Sequence, residues 1–263
     1  MPRIQDVLTA LEQQIPLSLA EPWDNVGLLL GDAQLDAHGV MTCLTLTPDV
    51  AEEAIREGAN LVITHHPILF KAVKRLTTET SEGRMLLELV RAGISVYSPH
   101  TAFDSAREGI NQQIAEALGL RDIQPIRPQP QSTDGAGRWG QFAFPLKLAE
   151  LLKRLKEVCP TEQYTYVGDL DQTCKIIGIA CGAAGEFLPD AAALGCHAFI
   201  TGETRFHTCL EARSLRTALV MTGHYASERP AIEELAQQLQ ARWSPLKVWA
   251  SQMETDPVRF FSE

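Results

Sequence analysis

The sequence predicts an α/β protein made of two related halves. Short apolar, β-branched runs alternate with stretches of helical periodicity along the chain, which is the pattern of βαβ units. A Pro- and Gly-rich segment, residues 125–140, interrupts this alternation and indicates a linker between residues 1–124 and residues 141–263. The order of elements before the linker then recurs after it. We therefore expect an internal duplication, with a site in the cleft between the halves.

The composition excludes several classes of protein. With 263 residues, 45% hydrophobic and 21% charged, the chain is ordinary for one large globular domain or two modest ones. A net charge of −10 argues against a nucleic-acid partner. No apolar run approaches the ~20 residues of a membrane span, and residues 1–6 lack the apolar core of a signal peptide. The cysteines form no C-x-x-C pair, which indicates reduced thiols, so we expect a cytoplasmic protein.

Apolar periodicity and boundary residues predict the elements of the first half. Pro48 and Asp49 favour a helix start, and Gly58 favours its end. The predicted elements are a helix over 4–15, a strand from Leu28, a strand over 40–47, a helix over 50–57, a strand over 59–63, a helix over 83–92, a strand over 94–98 and a helix over 111–118.

The same signals predict the elements of the second half. Pro189 opens a short helix there and Gly195 closes it. The other predicted elements are a helix over 146–158, strands over 175–180 and 196–201, a helix over 208–215, a strand over 218–221, a helix over 230–241 and a strand over 247–250.

Two pairs of segments carry the predicted duplication. CLTLTPDVAEEAIREGANLVITHHP (43–67) parallels IGIACGAAGEFLPDAAALGCHAFITGET (177–204), because each runs strand, Pro-Asp, helix, Gly, strand and Ile-Thr. Residues 97–104 then parallel residues 221–228, since each has a strand end, a small residue, a histidine and a carboxylate four positions later. Two related α/β halves are the simplest account of this order.

Adjacent histidines follow the apolar strand over 59–63. Side chains at the carboxyl ends of strands lie where α/β proteins bind ligands, and neutral imidazole is a common metal ligand. Neighbouring residues of a strand point to opposite faces. His65 and His66 therefore serve one site only if the chain leaves strand geometry there or if two metals bind side by side. The alternative is a pair of histidines that caps the strand and hydrogen-bonds the next loop.

Each half also contains a histidine with a carboxylate four positions later, His100 with Asp104 and His224 with Glu228. If these segments are helical, the two members of each pair lie on one face and converge. Several imidazoles and carboxylates at strand ends suit two divalent ions with a bridging carboxylate or water. A single pair of this kind is also the pattern of a hydrogen-bonded cap.

Further polar and aromatic residues admit two interpretations. Trp23–Asn25 could form a pocket wall or only a turn before the next strand. His38 and His197 have no carboxylate at this spacing and are interpreted as structural. His207, with Arg205 nearby, could line the cleft around the metal ligands.

Five segments, EPWDNVGLLLGD, ITHHPILFK, SPHTAFD, ITGE and GHYASE, occur in that order and together resemble the NIF-three-like family, whose members are also called GTP cyclohydrolase 1 type 2 homologues. The resemblance covers essentially the whole chain. It implies two divalent cations per subunit, with Glu228 bridging them, and a toroidal homohexamer with its metal sites facing an internal cavity. The ligands it implies are His65, His66, Asp104, His224 and Glu228. His100 is similar to a family histidine near the site, which is either a ligand or a proton-transfer group.

The family name implies attack of metal-activated water on the imidazole ring of GTP, with His100 or Glu203 moving protons. The sequence has no guanine-reading motif and no Gly-rich phosphate loop. Lys71, Lys74 and Arg75 are the local indication of a phosphate site, and a solvated surface is the alternative. The substrate class is therefore a nucleotide-like or phosphorylated small molecule. A non-catalytic hexameric scaffold, metal chaperone or adaptor is the competing hypothesis, and the ligand set admits zinc, manganese, iron, nickel or magnesium.

Overall fold

The computed structural model describes residues 1–130 and 132–261 and has a mixed α/β fold, which confirms the predicted class. The chain divides into two compact units. Of the described residues, the first unit contains Met1–Phe103 and Ala231–Thr255, and the second contains those of Asp104–Pro230 and of 256–261.

The helices and strands of the described residues are, in chain order, α1 (Ile4–Gln14), β1 (Gly27–Leu30), β2 (Gly39–Thr45), α2 (Pro48–Glu57), β3 (Leu61–His66), α3 (Ser81–Arg91), β4 (Ser95–Ser98), α4 (His100–Ser105), α5 (Ile110–Ala117), β5 (Arg121–Gln124), β6 (Arg127–Pro128), β7 (Gly135–Ala136), β8 (Arg138–Lys147), α6 (Leu148–Val158), β9 (Thr165–Val167), β10 (Thr173–Ala180), α7 (Leu188–Ala193), β11 (Ala198–Thr201), α8 (Phe206–Leu215), β12 (Ala218–Met221), α9 (His224–Arg242) and β13 (Lys247–Ala250). Short 3₁₀ turns lie at Leu17–Leu19 and Gly185–Phe187. Among the residues that the structure describes, no helix has both the length and the apolar character needed to cross a membrane.

The sheet of the first unit has the order β1-β4-β3-β2-β13. Strands β2, β3 and β4 are parallel neighbours joined by α2 and α3, while β1 pairs antiparallel with β4 at one edge. Because the three central strands are parallel, their carboxyl ends lie at one edge of the sheet. That edge presents the histidines at the end of β3 and the segment that follows β4.

Local sequence explains the helices that flank this sheet. Helix α2 begins at Pro48, has Asp49 in its first turn and ends at Gly58, which takes a left-handed φ of 77°. Its apolar face packs into the core of the unit. Members of that core, all buried, include Met41, Cys43, Val50, Ala54, Val62, Met85, Leu86, Leu89 and Val96.

The sheet of the second unit has the order β5-β8-β10-β11-β12-β9. Strands β10, β11 and β12 are parallel neighbours joined by α7 and α8, and β8 and β9 add antiparallel partners to β10 and β12. The core of this unit includes Ala180, Leu188, Ala191, Phe199, Ala212 and Leu219. The carboxyl ends of β10, β11 and β12 again share one edge, which leads into the loops that carry the candidate site residues of this unit.

Both sheets therefore contain three parallel strands joined by two helices, β2-α2-β3-α3-β4 and β10-α7-β11-α8-β12. This is the order of elements that the comparison of the two halves predicts. The common origin of the halves stays a prediction. The compact units are not the sequence halves, however, because β13 pairs parallel with β2 in the first sheet although residues 247–250 lie in the predicted second half.

The segment predicted as a linker, residues 125–140, contains regular structure. Strands β6 and β7 pair antiparallel within it, and β8 begins at Arg138 and pairs antiparallel with β10. The prolines and glycines around this turn resemble a linker in composition, but β8 is paired on both sides, with β5 before it and with β10, which lies more than 25 residues after it in the chain. Gln131 of this segment, and Ser262 and Glu263 at the end of the predicted second half, lie outside the described residues.

Several helix boundaries also differ from the sequence prediction, and the differences in two helices have a clear physical cause. Helix α6 begins at Leu148 instead of residue 146, because β8 continues to Lys147. Helix α9 begins at His224 and contains Pro230, the residue at which the sequence predicts its start. Proline usually marks a helix start because it lacks an N–H donor, so Pro230 hides the true beginning six residues earlier.

Candidate metal site

The histidine pair lies at the carboxyl end of β3, which includes both residues. The chain thus keeps strand geometry through both histidines, and His65 is buried like the four residues before it, whereas His66 is partly exposed. The two rings are nevertheless close, with centroids 5.1 Å apart and planes tilted by 56°. Ser98 Oγ donates a hydrogen bond of 2.7 Å to the His65 carbonyl, which ties the end of β3 to the end of β4. Pro67 then ends the strand.

His100 completes a group of three imidazoles in the first unit. It is the first residue of α4 and has a positive φ of 29°, a conformation that non-glycine residues rarely adopt. Its ring centroid lies 5.2 Å from that of His65 and 5.8 Å from that of His66. One ring nitrogen from each of the three residues lies within 4.8 Å of the other two. This arrangement can place imidazole ligands around a cation.

Asp24 fixes the ring of His100. Its Oδ1 lies 2.7 Å from His100 Nδ1, and its Oδ2 accepts hydrogen bonds from the backbone N–H and the hydroxyl of Thr101. Burial alone would raise the pKa of Asp24, but the hydrogen bonds from His100 and Thr101 outweigh it and hold the pKa at about 2. An ionised carboxylate only accepts, so Nδ1 of His100 carries the proton. In the neutral ring Nε2 then carries the lone pair, the form that binds a cation or accepts a proton.

A second group, in the second unit, joins one histidine to two carboxylates. His224 is the first residue of α9, and its Nε2 lies 3.1 Å from Oε2 of Glu228, one turn later. Its Nδ1 lies 2.9 Å from Oε1 of Glu203. The hydrogen bond with Glu228 raises the pKa of His224 to about 9, against the effect of burial and with help from Glu203. Glu228 is buried, whereas Glu203 is 60% exposed.

A glycine makes room for the Glu228 carboxylate. Gly182 follows β10 with a φ of 65°, and a Cβ built on it would lie less than 3.0 Å from Oε1 of Glu228, closer than real Cβ atoms approach their neighbours. Its N–H donates to Ser227 Oγ at 3.1 Å, and that hydroxyl donates to the His224 carbonyl at 2.7 Å. The loop after β10 and the first turn of α9 are therefore fixed to each other, and a Cβ at residue 182 would require the Glu228 carboxylate to move.

Asp104, the third predicted ligand of the second unit, is held by residues that sequence reasoning missed. Cys181 Sγ donates to Oδ1 of Asp104 at 3.2 Å. Asn111 bridges the two residues, because its Nδ2 donates to the Asp104 carbonyl at 3.1 Å and its Oδ1 accepts from the Cys181 N–H at 2.8 Å. Burial and the carboxylates of Asp104 and Glu228 raise the pKa of the Cys181 thiol well above its usual range, so it stays a donor. Cys181 directly follows the strand predicted over 175–180, and α/β proteins bind ligands at the carboxyl ends of strands. That position is the sequence signal that could have identified Cys181 as a residue of the site.

Arg138 supports the chain just after Asp104. The guanidinium is 1% exposed and donates to the carbonyls of Ser105 at 3.1 Å and Ala106 at 2.8 Å. It also donates to the carbonyls of Gly135 and Gly137 at 2.5 and 2.8 Å. A buried arginine with its donors satisfied by carbonyls acts as a structural clamp. Ser105 and Ala106 lie more than 30 residues before Arg138 in the chain, so no local sequence pattern predicts these contacts.

Other predicted site residues lie elsewhere. Lys71, Lys74 and Arg75 are exposed in the segment that follows Phe70. His38, His197 and His207 are also exposed, and Nδ1 of His197 accepts the Ile176 N–H at 3.1 Å, which supports a structural role for that histidine. The ring of His207 contacts that of its neighbour Phe206. Among the described residues, His207 belongs to none of the groups of side chains that could hold a metal ion, unlike His65, His66 and His100.

Comparisons with known proteins show which family this chain belongs to. The chain is 31% identical to a Clostridium acetobutylicum protein named GTP cyclohydrolase 1 type 2 homolog, with 98% of each chain covered. It is 32% identical to the Schizosaccharomyces pombe protein NIF3 homolog over 91% of each chain. The crystal structure of a Staphylococcus aureus hypothetical protein matches with a TM-score of 0.90 and 27% identity, covering 99% of this chain and 100% of the other. The family model for Duf34/NIF3 (NGG1p interacting factor 3) matches residues 2–257, and the chain therefore belongs to the DUF34/NIF3 family.

Proposed function

We propose that this chain is a metal-dependent hydrolase acting on a nucleotide-like or phosphorylated small molecule. The observation that carries the proposal is the group of three imidazoles, whose ring nitrogens lie within 4.8 Å of one another. Two divalent cations per subunit are bound, in this proposal, by the five ligands that the sequence predicts: His65, His66, Asp104, His224 and Glu228.

The donor set fits divalent cations. Neutral imidazoles with carboxylates suit zinc, manganese, iron or nickel, and a carboxylate-rich subset also suits magnesium. The absence of a Cβ at Gly182 supports a functional role for Glu228, because any side chain there would displace that carboxylate. A ligand histidine also benefits from a partner that fixes its ring, and Glu203 provides one for His224.

The chain's own residues supply proton handling. Bound divalent cations lower the pKa of a water ligand and polarise a substrate. His100, oriented by Asp24, has the tautomer that accepts a proton at Nε2. Glu203 is exposed and already hydrogen-bonded to His224, so it is placed to exchange protons with solvent. The names of the relatives support a cyclohydrolase-like reaction that breaks C–N bonds.

We also propose that the chain assembles into a homo-oligomer and is located in the cytoplasm. A toroidal homohexamer follows from the family resemblance, and a cytoplasmic location follows from the composition. The first is tested by measuring the mass of the purified protein in solution, since a hexamer has six times the mass of the 29.0 kDa chain.

Metal stoichiometry by elemental analysis tests the proposal most directly. We expect about two divalent ions per chain in the wild type and their loss when His65→Ala and Glu228→Ala are combined. His38→Ala is the matched control, because His38 is an exposed histidine outside the ligand set. It should keep both ions.

Two results would decide against parts of the proposal. A wild-type protein that binds no metal after reconstitution would overturn the site. Two bound ions without turnover on a panel of nucleotides and phosphorylated metabolites would instead favour the scaffold, chaperone or adaptor hypothesis. In that case metal removal should change the oligomer or its partners, and Asp104→Ala should do the same.

A further inference from the structure

Three aromatic rings, those of Trp23, Phe70 and His100, meet in the first unit, and His100 is also a member of the imidazole group. The centroid of Trp23 lies 6.1 Å from that of Phe70 and 6.2 Å from that of His100. Phe70 and His100 are 6.4 Å apart, and all three pairs are edge-to-face, with interplanar angles of 75° to 89°. The rings thus form a triangle with sides of similar length, and His100 is its link to the candidate metal site.

Two of these rings are exposed to solvent. Trp23 is 60% exposed and Phe70 is 49% exposed, whereas the side chain of His100 is 16% exposed. A single exposed aromatic residue is common and needs no explanation. Two large exposed rings in contact, beside a histidine whose tautomer is fixed by a buried carboxylate, are better explained by a ligand that covers them.

Hydrogen bonds below the rings hold both loops in place. Asp24, which follows Trp23, is bound to His100 and Thr101, and Thr101 Oγ1 in turn accepts the Glu21 N–H at 3.0 Å. Asn25 Nδ2 donates to the Leu69 carbonyl at 3.0 Å, directly before Phe70. The Trp23 turn and the Phe70 loop are therefore joined, and the rings are presented in a fixed arrangement. Preorganised aromatic surfaces of this kind lose little conformational entropy on binding.

We infer that Trp23 and Phe70 form a binding site for the planar heteroaromatic ring of a small-molecule ligand, which stacks on the face of Trp23 and meets Phe70 edge-to-face, with its reacting part directed to His100. This deepens the proposed function and rests on it for the identity of the neighbouring metal site. Flat π-systems stack on exposed aromatic side chains whatever their substituents. Lys71, Lys74 and Arg75 follow Phe70 within five residues and are exposed, so an anionic substituent on the ring finds positive charge nearby.

Three probes separate the ring from the charge. Adenosine carries a planar heterocycle without phosphate, ribose 5-phosphate carries phosphate without the heterocycle, and adenosine 5′-monophosphate carries both. Binding of each is measured by isothermal titration calorimetry on the full-length protein, once metal-free and once loaded with zinc. We expect adenosine and adenosine 5′-monophosphate to bind, with Trp23→Ala weakening both about tenfold, as expected for loss of one stacking partner.

Matched variants keep the test specific. Trp23→Phe retains an aromatic face and should restore most of the affinity. Phe144→Ala removes an aromatic side chain that is 82% exposed on β8 and should change nothing. Because Trp23 is largely exposed, its replacement is not expected to unfold the protein, and circular dichroism of each variant checks this.

The outcomes distinguish this inference from the proposed function. The stacking site would be overturned if wild type and Trp23→Ala bound adenosine with equal affinity. It would also be overturned if ribose 5-phosphate bound and adenosine did not. Both conclusions hold even if two metal ions are bound. Absence of bound metal with adenosine binding that depends on Trp23 would overturn the proposed hydrolase and leave the stacking site standing. Failure of all three probes, with Trp23→Ala changing the oligomer mass, would assign the rings to a protein interface instead.

Discussion

The carboxylate of Asp24 and the imidazole of His100, 76 positions apart in the chain, are joined by a hydrogen bond of 2.7 Å. The bond selects the tautomer of His100, because an ionised carboxylate can only accept. It also explains why a histidine with an unfavourable positive φ is stable at the start of α4. Asp24, which the sequence places in a candidate pocket wall, thus acts on the site through His100.

Replacing Asp24 with asparagine should release the tautomer of His100 without unfolding the protein. The Asp24→Asn variant keeps the size of the side chain but loses the charge that holds the Nδ1 proton, so His100 should lose the fixed form that accepts a proton at Nε2. ¹⁵N NMR reports the tautomer of His100, and competition with a chromophoric chelator should show an unchanged metal affinity, because the five proposed ligands do not include His100. Asp36→Asn, at an exposed aspartate of the same unit, is the control. An unchanged tautomer in Asp24→Asn would contradict the assignment.

The thiol of Cys181 should matter as a hydrogen-bond donor to Asp104. Cys181→Ala removes the 3.2 Å contact with Oδ1 and should lower metal affinity by about tenfold, within the range typical of partners that orient a ligand. Cys181→Ser keeps a donor at the same position and should stay close to wild type. The same chelator competition measures both variants. Equal losses in the two variants would indicate a packing role instead of donation.

Substitution of Gly182 by alanine should cause loss of metal, whereas the same substitution at a comparable glycine should not. Alanine at residue 182 would hold an unfavourable φ of 65° and would place its Cβ less than 3.0 Å from Glu228 Oε1. Gly195→Ala is the matched control, because Gly195 has a φ of 78° with nothing within 4 Å of a built Cβ. Both variants should lose about 1–2 kcal/mol of unfolding free energy from the left-handed conformation. Only Gly182→Ala should also lose metal, as elemental analysis would detect.

Glu53 should make stability depend on pH. Burial would raise the pKa of this carboxyl, but hydrogen bonds from Gln252, Ser251, Met253 and Trp249 outweigh burial and lower the pKa below its ordinary value of 4.5. A lowered pKa means that the stabilisation is fully present above pH 4.5 and is lost as the pH falls through the folded-state value.

The matching variant is Glu53→Gln, which cannot satisfy the same donors. It should reduce the free energy of unfolding at pH 7 by about 1–3 kcal/mol, the usual range for a buried partner lost from a hydrogen-bonded group. Urea denaturation at pH 7 and at successively lower pH measures the difference from wild type. The difference should shrink as the pH falls below 4.5. A difference that grows with acidity would contradict the sign of the shift.

Sequence periodicity determined the local elements of this chain. The helix from Ile4 and the helix opened by Pro48 and closed by Gly58 match the structure closely. The strand predicted over 59–63 is present, but it runs over Leu61–His66 and includes both histidines. These elements depend on apolar spacing and on capping residues within a few positions of each other. The spacing of His224 and Glu228 likewise predicted their contact, because a helix brings residues four apart onto one face.

Tertiary structure decided the partners that lie far apart in the chain. The prolines and glycines around Arg138 concealed the strand that begins there, because that strand forms by pairing with β5 and β10 and not through a local pattern. The pairing of β13 with β2 and the bond between Asp24 and His100 join segments more than 70 residues apart. Local patterns record how a segment buries its own apolar face, but they do not record which distant donor or strand satisfies its polar groups. The residue types of the candidate site are therefore legible in the sequence, whereas the contacts that orient them come from the fold.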